Sequence, residues 1–152
     1  MTVAKPTITP SLFYNDPKAA LSFLEKAFGF ELTMCITDES GHVVHSEMAY
    51  GDGAIMIGST DWAPWPKSPA SLDGKNTQGL HMVVSGLDAH CETARAAGAE
   101  IVAEPEDQFY GDRTYRALDC EGHFWTFSET VKEVSLAEME AATGLKIDTG
   151  AS

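Results

Sequence analysis

Apolar and polar residues follow two rhythms along this chain, and the rhythms change over in the same order twice. After a short β-rich run, TITPSLFY, the apolar residues Ala20, Phe23, Leu24, Ala27 and Phe28 recur at the i, i+3, i+4, i+7, i+8 spacing of one helical face. Asp16 followed by Pro17 supplies an N-cap and a first helical residue, and Gly29 supplies the stop. Three strand-like runs come next: FELTMCITD, then HVVHSEMAY after the turn ESGH, then GAIMIGS after YGDG. This first part reads as βαβββ.

A stretch rich in Pro, Ser and Trp, TDWAPWPKSPASLDGKNTQ, interrupts the pattern, which then restarts. GLHMVVSG is a strand. LDAHCETARAAGAE is a short helix with Leu87, Cys91 and Ala94 on one face and Gly98 as its stop, and AEIVAEP, RTYRALD and GHFWTFSE are three further strands. Gly29 and Gly98 lie 69 positions apart (98 − 29), Gly53 and Gly122 also lie 69 apart (122 − 53), and Ser11 falls opposite His81 at 70 (81 − 11). One βαβββ unit is thus written twice. The expected division is a first module over 6–60, a linker over 61–78, a second module over 79–130 and a tail over 131–152. In the tail Ser135, Glu138 and Gly144 mark a short capped helix.

The runs DPKAALSFLEKAFGF and VVHSEM in the first module, with EDQFYGDR and GHFW in the second, carry a family likeness over roughly residues 6 to 130. The chain resembles the vicinal oxygen chelate superfamily of glyoxalases, bleomycin-resistance proteins and extradiol dioxygenases, and within it the small bacterial PhnB-like proteins. The resemblance implies an α+β fold in which two βαβββ modules form a cup-shaped mixed sheet. It also implies that metal ligands, where a member has them, sit on the first and last strand of each module. The matching positions are Ser11, Ile57 (four past Gly53), His81 and Thr126 (four past Gly122). Only His81 is a competent ligand for a divalent ion. The expectation is therefore a small-molecule binding protein that needs no metal and no other cofactor. The alternative is a divalent-metal-dependent lyase or isomerase of the glyoxalase type, with the metal on His81 and Glu47 or water.

Parity along strands then sorts the remaining residues, since neighbours in sequence face opposite sides. In EGHFWTFSE, an inward Thr126 carries Phe124 and Ser128 with it and turns His123, Trp125, Phe127 and Glu129 outward, toward the helices or the strand ends. Leu12, Tyr14, Met82 and Val84 join the helix side. The inward set is Ser11, Phe13, Ile55, Ile57, His81, Val83, Phe124, Thr126 and Ser128, with Phe13 and Phe124 as expected neighbours; this is an apolar, partly aromatic wall of the kind that holds small molecules.

Hairpin register decides two polar groups. A two- or four-residue loop at DCEG turns Arg113 and Tyr115 inward, and a three-residue loop turns Thr114 and Arg116 inward. A two-residue turn in the first module sends His45 and Glu47 under the helix; a three-residue turn sets them beside Ile57, which the cost of burying them favours. The candidate ligand-binding residues are Ser11, Phe13, Ile57, His81, Arg113, Tyr115, Phe124 and Thr126, and the candidate catalytic pair is His45 and Glu47.

Composition narrows the class. A chain of 152 residues that is 43% hydrophobic makes one compact domain or two small modules sharing a core. The net charge of −13 argues against nucleic acid and mildly favours cationic or neutral ligands. No apolar run is long enough for a membrane helix, and MTVAKPTITPS lacks a leader's apolar segment, so a cytoplasmic home is expected. Cys35, Cys91 and Cys120 form no CxxC pair and read as small core residues rather than a disulfide framework. Apolar sheet surface and free edges exceed what a chain this short covers, which predicts a homodimer. Trp62 and Trp65 of the linker are expected to close over a ligand or to pack at a subunit contact.

Overall fold

The computed structural model describes residues 5–150. Residues 1–4 of the stretch read for a leader, and 151–152 of the tail, lie outside the described residues. The first unit runs β1 (Ser11–Tyr14), α1 (Pro17–Phe28), β2 (Glu31–Thr37), β3 (Val43–Tyr50) and β4 (Gly53–Ser59). The second runs β5 (Gly79–Val83), α2 (Leu87–Ala96), β6 (Glu100–Asp107), β7 (Asp112–Leu118) and β8 (Phe124–Thr130), and α3 (Leu136–Thr143) follows. Each unit makes an open four-stranded mixed sheet, in the orders β1-β4-β3-β2 and β5-β8-β7-β6. The first and last strand of each unit pair in parallel; the other pairs are antiparallel. The fold is α+β, as expected.

Local chemistry accounts for the helices. Asp16 accepts a hydrogen bond from the Ala19 amide at 3.1 Å, Pro17 opens α1, and Gly29 closes it at φ 85°. Gly86, at the N-cap of α2, has no side chain to offer. The Glu129 carboxylate from β8 takes its place, accepting the Gly86 and Leu87 amides at 2.8 and 3.1 Å, where it also meets the positive end of the helix dipole. Ser135 caps α3 through the Glu138 amide, but that helix buries none of its residues. Pro105 stands in β6, which can accept a proline because it is an edge strand with shifted register between Ala103 and Glu106.

Both sheets turn one face into a single core. Leu12, Tyr14, Leu24, Phe28, Ile57, Leu87, Tyr115, Trp125 and Phe127 are almost wholly buried in it, and α1 packs on α2. Phe28 of the first unit lies 5.1 Å from Trp125 and 4.8 Å from Phe127 of the second, ring centre to ring centre. His90 bridges the units within this core: its Nε2–H donates to the Phe28 carbonyl at 3.0 Å and its Nδ1 accepts from the Tyr115 hydroxyl at 2.5 Å. Burial lowers the His90 pKa, so the neutral ring is the favoured form.

A buried carboxylate ties the same region. Asp119 accepts from the Tyr14 hydroxyl at 2.5 Å, the Trp125 indole at 3.0 Å and the Glu121 and His123 amides at 3.0 Å. Burial, reinforced by Asp119, raises the Tyr14 pKa well above its ordinary value. Of the three cysteines only Cys91 is a core residue; Cys35 and Cys120 are exposed, which corrects the sequence expectation. Among the described residues no helix is long and apolar enough to cross a membrane.

Candidate functional site

The faces that look away from the helices carry the candidate site, and strand register decides who stands there. On the second sheet His81 pairs with Thr126, and Phe124 and Ser128 share that open face, while Trp125 and Phe127 are fully buried on the other. His81 Nε2 lies 2.9 Å from the Ser128 hydroxyl. The Phe124 ring covers Gly79, where even a methyl group would collide with it. His123 is buried and its Nε2–H donates to the Phe13 carbonyl at 2.8 Å, while Glu129 caps α2, so both side chains are engaged with the protein's own backbone.

Three of the candidate ligand-binding residues need correction. The loop between β7 and β8 spans residues 119–123, an odd number, so Thr114 faces Ser128 and Arg116 faces Thr126 on the open side. Tyr115 is instead fully buried, hydrogen-bonded to His90. Arg113 donates to Asp88 and Asp107 at 2.9 Å on the helix side.

Ile57 is fully buried against the helices, as is Ile55 nearly so, because Leu12 pairs with Ile57 and Ser11 with Met56. Counting four residues past Gly53 treated Gly53 and Gly122 as equivalent. They are not: Gly53 opens β4 after a two-residue turn, whereas Gly122, at φ 88°, lies inside the five-residue loop. One residue of slip moves every side chain to the opposite face. Met56 and Gly58 therefore take the open-face places assigned to Ile55 and Ile57. The repeat itself held the clue: the offset of 70 that matches Ser11 to His81 also matches Met56 to Thr126.

The same slip settles His45 and Glu47. The turn has two residues, yet Glu47 pairs with Met56, so both side chains lie on the open face, partly buried, with His45 Nε2 2.9 Å from Glu47 Oε2. On β2, Met34 pairs with Glu47 and Ile36 with His45.

The open face of the first sheet holds a cavity of about 470 Å³ lined by Ser11, Phe13, His45, Met56, Trp62 and Trp65, with Val44 and Gly58. Phe13 is flanked by Trp62 at 6.1 Å and Trp65 at 5.8 Å, and the two indoles meet edge to face at 4.6 Å. The Trp62 indole donates to the Ser59 carbonyl at 2.8 Å, which fixes that ring at the end of β4. The linker tryptophans thus stand beside Phe13. Phe124 does not, and among the described residues no ring contact links it to Phe13.

The structurally equivalent first- and last-strand positions are Ser11, Met56, His81 and Thr126: one imidazole, two hydroxyls and a soft thioether. That set does not fit a divalent metal of the family's type, which takes imidazole nitrogen and carboxylate oxygen. Among the described residues no three His, Cys, Asp or Glu side chains are grouped to hold a metal ion.

The model of the Glyoxalase/Bleomycin resistance protein/Dioxygenase superfamily matches residues 6–127. An uncharacterized protein of Mycobacterium bovis is 30% identical over 143 residues, which cover 91% of this chain and 92% of that one. The crystal structure of TioX from Micromonospora sp. ML1 is similar at a TM-score of 0.66 and 33% identity, over 82% of this chain and 98% of TioX. TnmS3 from Streptomyces sp. CB03234, described as an antibiotic binding protein, is similar in fold at a TM-score of 0.63 and 20% identity, over 86% of this chain and 98% of TnmS3. Sequence match and sheet topology agree, and the chain belongs to the glyoxalase/bleomycin resistance protein/dioxygenase superfamily.

Proposed function

We propose that this protein is a metal-independent binder of planar, largely apolar small molecules, which it holds on the open face of the first sheet. The observation that carries the reading is the aromatic group of Phe13, Trp62 and Trp65 around a cavity of about 470 Å³. Flat rings bind such walls by burial and by offset or edge contacts worth about 0.5–1.5 kcal/mol per aromatic pair. TnmS3, which is similar in fold, is described as an antibiotic binding protein, and that supports a small-molecule binding role for this chain. The likeness to PhnB-like proteins belongs to this reading too, as a finer placement within the family.

Phe13→Ala is expected to weaken binding of planar aromatic compounds at least about tenfold, because it removes the ring on which both indoles rest. Calorimetric titration checks it, and an unchanged affinity would move the site elsewhere. Because the change is on an open face, the variant should keep its fold. The second reading, a glyoxalase-type lyase or isomerase, draws on the His45–Glu47 pair at 2.9 Å beside the same cavity, an arrangement suited to moving a proton.

The binding unit in this reading is a homodimer. Met34 and Ile36 on the first sheet and Val83 on the second remain 45%, 48% and 73% exposed on faces of the kind that a second copy would cover. Sedimentation velocity at micromolar concentration should give twice the chain mass of 16.4 kDa. A species of single-chain mass would contradict the dimer and leave the aromatic site to one subunit.

A further inference from the structure

A second cavity of about 380 Å³ adjoins the aromatic one and shares Ser11 and Phe13 with it. Its far wall is the linker, which contributes Lys67, Lys75, Thr77 and Gln78. Its chemistry departs from that of the molecule as a whole. The chain carries 23 acidic against 10 basic residues, yet no aspartate or glutamate lines this cavity and two lysines do. Among the described residues neither Lys67 nor Lys75 forms an ion pair, whereas Arg95 and Arg113 each pair with two carboxylates.

The linker is also fixed in place. The Ser68 hydroxyl donates to Glu121 at 2.6 Å, and Asn76 both donates to the Gly122 carbonyl at 2.9 Å and accepts from the Phe124 amide at 3.2 Å. The lysines are therefore carried by an ordered wall rather than by a loose loop. Glu121 is itself engaged by the Asn15 and Asp16 amides at 2.7 and 2.9 Å.

We infer that the ligand of the aromatic site is an anion: a planar apolar body against Phe13, Trp62 and Trp65, bearing a carboxylate that passes Ser11 into the linker cavity and meets Lys67 and Lys75. The inference rests on the binding role proposed above and names its ligand class. It reverses the expectation drawn from net charge alone. At physiological ionic strength the field of distant surface carboxylates is screened beyond about 8 Å, so the charges bordering the cavity govern what enters it. Ammonium donors to a carboxylate make charge-assisted hydrogen bonds, stronger than those a neutral amide would accept.

The test compares 2-naphthoate, 2-naphthamide and 2-naphthylmethylamine by isothermal titration calorimetry on the intact protein. In low salt 2-naphthoate is expected to bind about tenfold more tightly than 2-naphthamide, and the amine most weakly. In the double variant Lys67→Gln/Lys75→Gln that advantage should vanish while the affinity for 2-naphthamide is unchanged, which also shows that the variant is folded. Equal binding of acid and amide, or an advantage that survives in the double variant, overturns the anionic ligand while leaving the aromatic site intact. Failure of all three to bind in a Phe13-dependent way overturns both.

Discussion

Trp125→Ala is expected to cost about 3–5 kcal/mol of folding stability, the range for removing a large buried aromatic side chain. Trp125 is fully buried, its ring lies 5.1 Å from Phe28 and 5.6 Å from Phe30, and it stands parallel to Phe127 at 6.2 Å. Two of those partners, Phe28 and Phe30, belong to the other unit, so the substitution loosens the joint between modules as well as one sheet. It also strips the indole donor from Asp119, a buried carboxylate whose remaining partners are Tyr14 and two amides. Urea denaturation reads the loss directly. A shift of less than about 1 kcal/mol, with ligand binding abolished, would mean that β8 presents Trp125 rather than Phe124 and Thr126 to the site.

Gly111→Ala should be the second most damaging change of those considered, at about 2 kcal/mol or more. Gly111 sits at φ 98°, and a methyl group there would strike the Lys132 carbonyl. Its own carbonyl accepts the Val131 and Lys132 amides at 2.9 and 3.0 Å, which pins the β6–β7 hairpin to the chain leaving β8. Gly41→Ala is the control: φ is 86° there, but nothing lies within 4 Å of the added carbon, so only the backbone term of about 1–2 kcal/mol applies. Equal losses in the two variants would mean that the Gly111 contact contributes nothing.

Much of this architecture is legible because it is set by local chemistry. Asp16, Pro17 and Gly29 bracket α1, and the alternation in GHFWTFSE assigns Trp125 and Phe127 to the helix side without reference to any partner strand. What depends on counting across a turn is far less legible. Ile57 and Met56 are adjacent, and which of them reaches the open face turns on whether Gly53 lies in the turn or begins the strand; YGDG admits both. The residues Arg113 and Tyr115 failed for the same reason, since DCEG does not reveal that His123 belongs to the loop rather than to β8.

The capping role of Glu129 is equally hidden. Nothing near Glu129 in sequence announces that it caps a helix starting some forty residues earlier, a role that arises only because Gly86 leaves the α2 amides unsatisfied. The significance of Lys67 and Lys75 lies in the absence of carboxylates from the cavity they line, a property of the folded linker rather than of its composition.

A metal-free aromatic binding site on the first sheet is checked by titrating 2-naphthoate, followed by calorimetry before and after exhaustive dialysis against a chelator. Saturable binding is expected, with an affinity that is the same in both samples and at least about tenfold weaker in Phe13→Ala. Binding that disappears on chelation and returns with added zinc would contradict it.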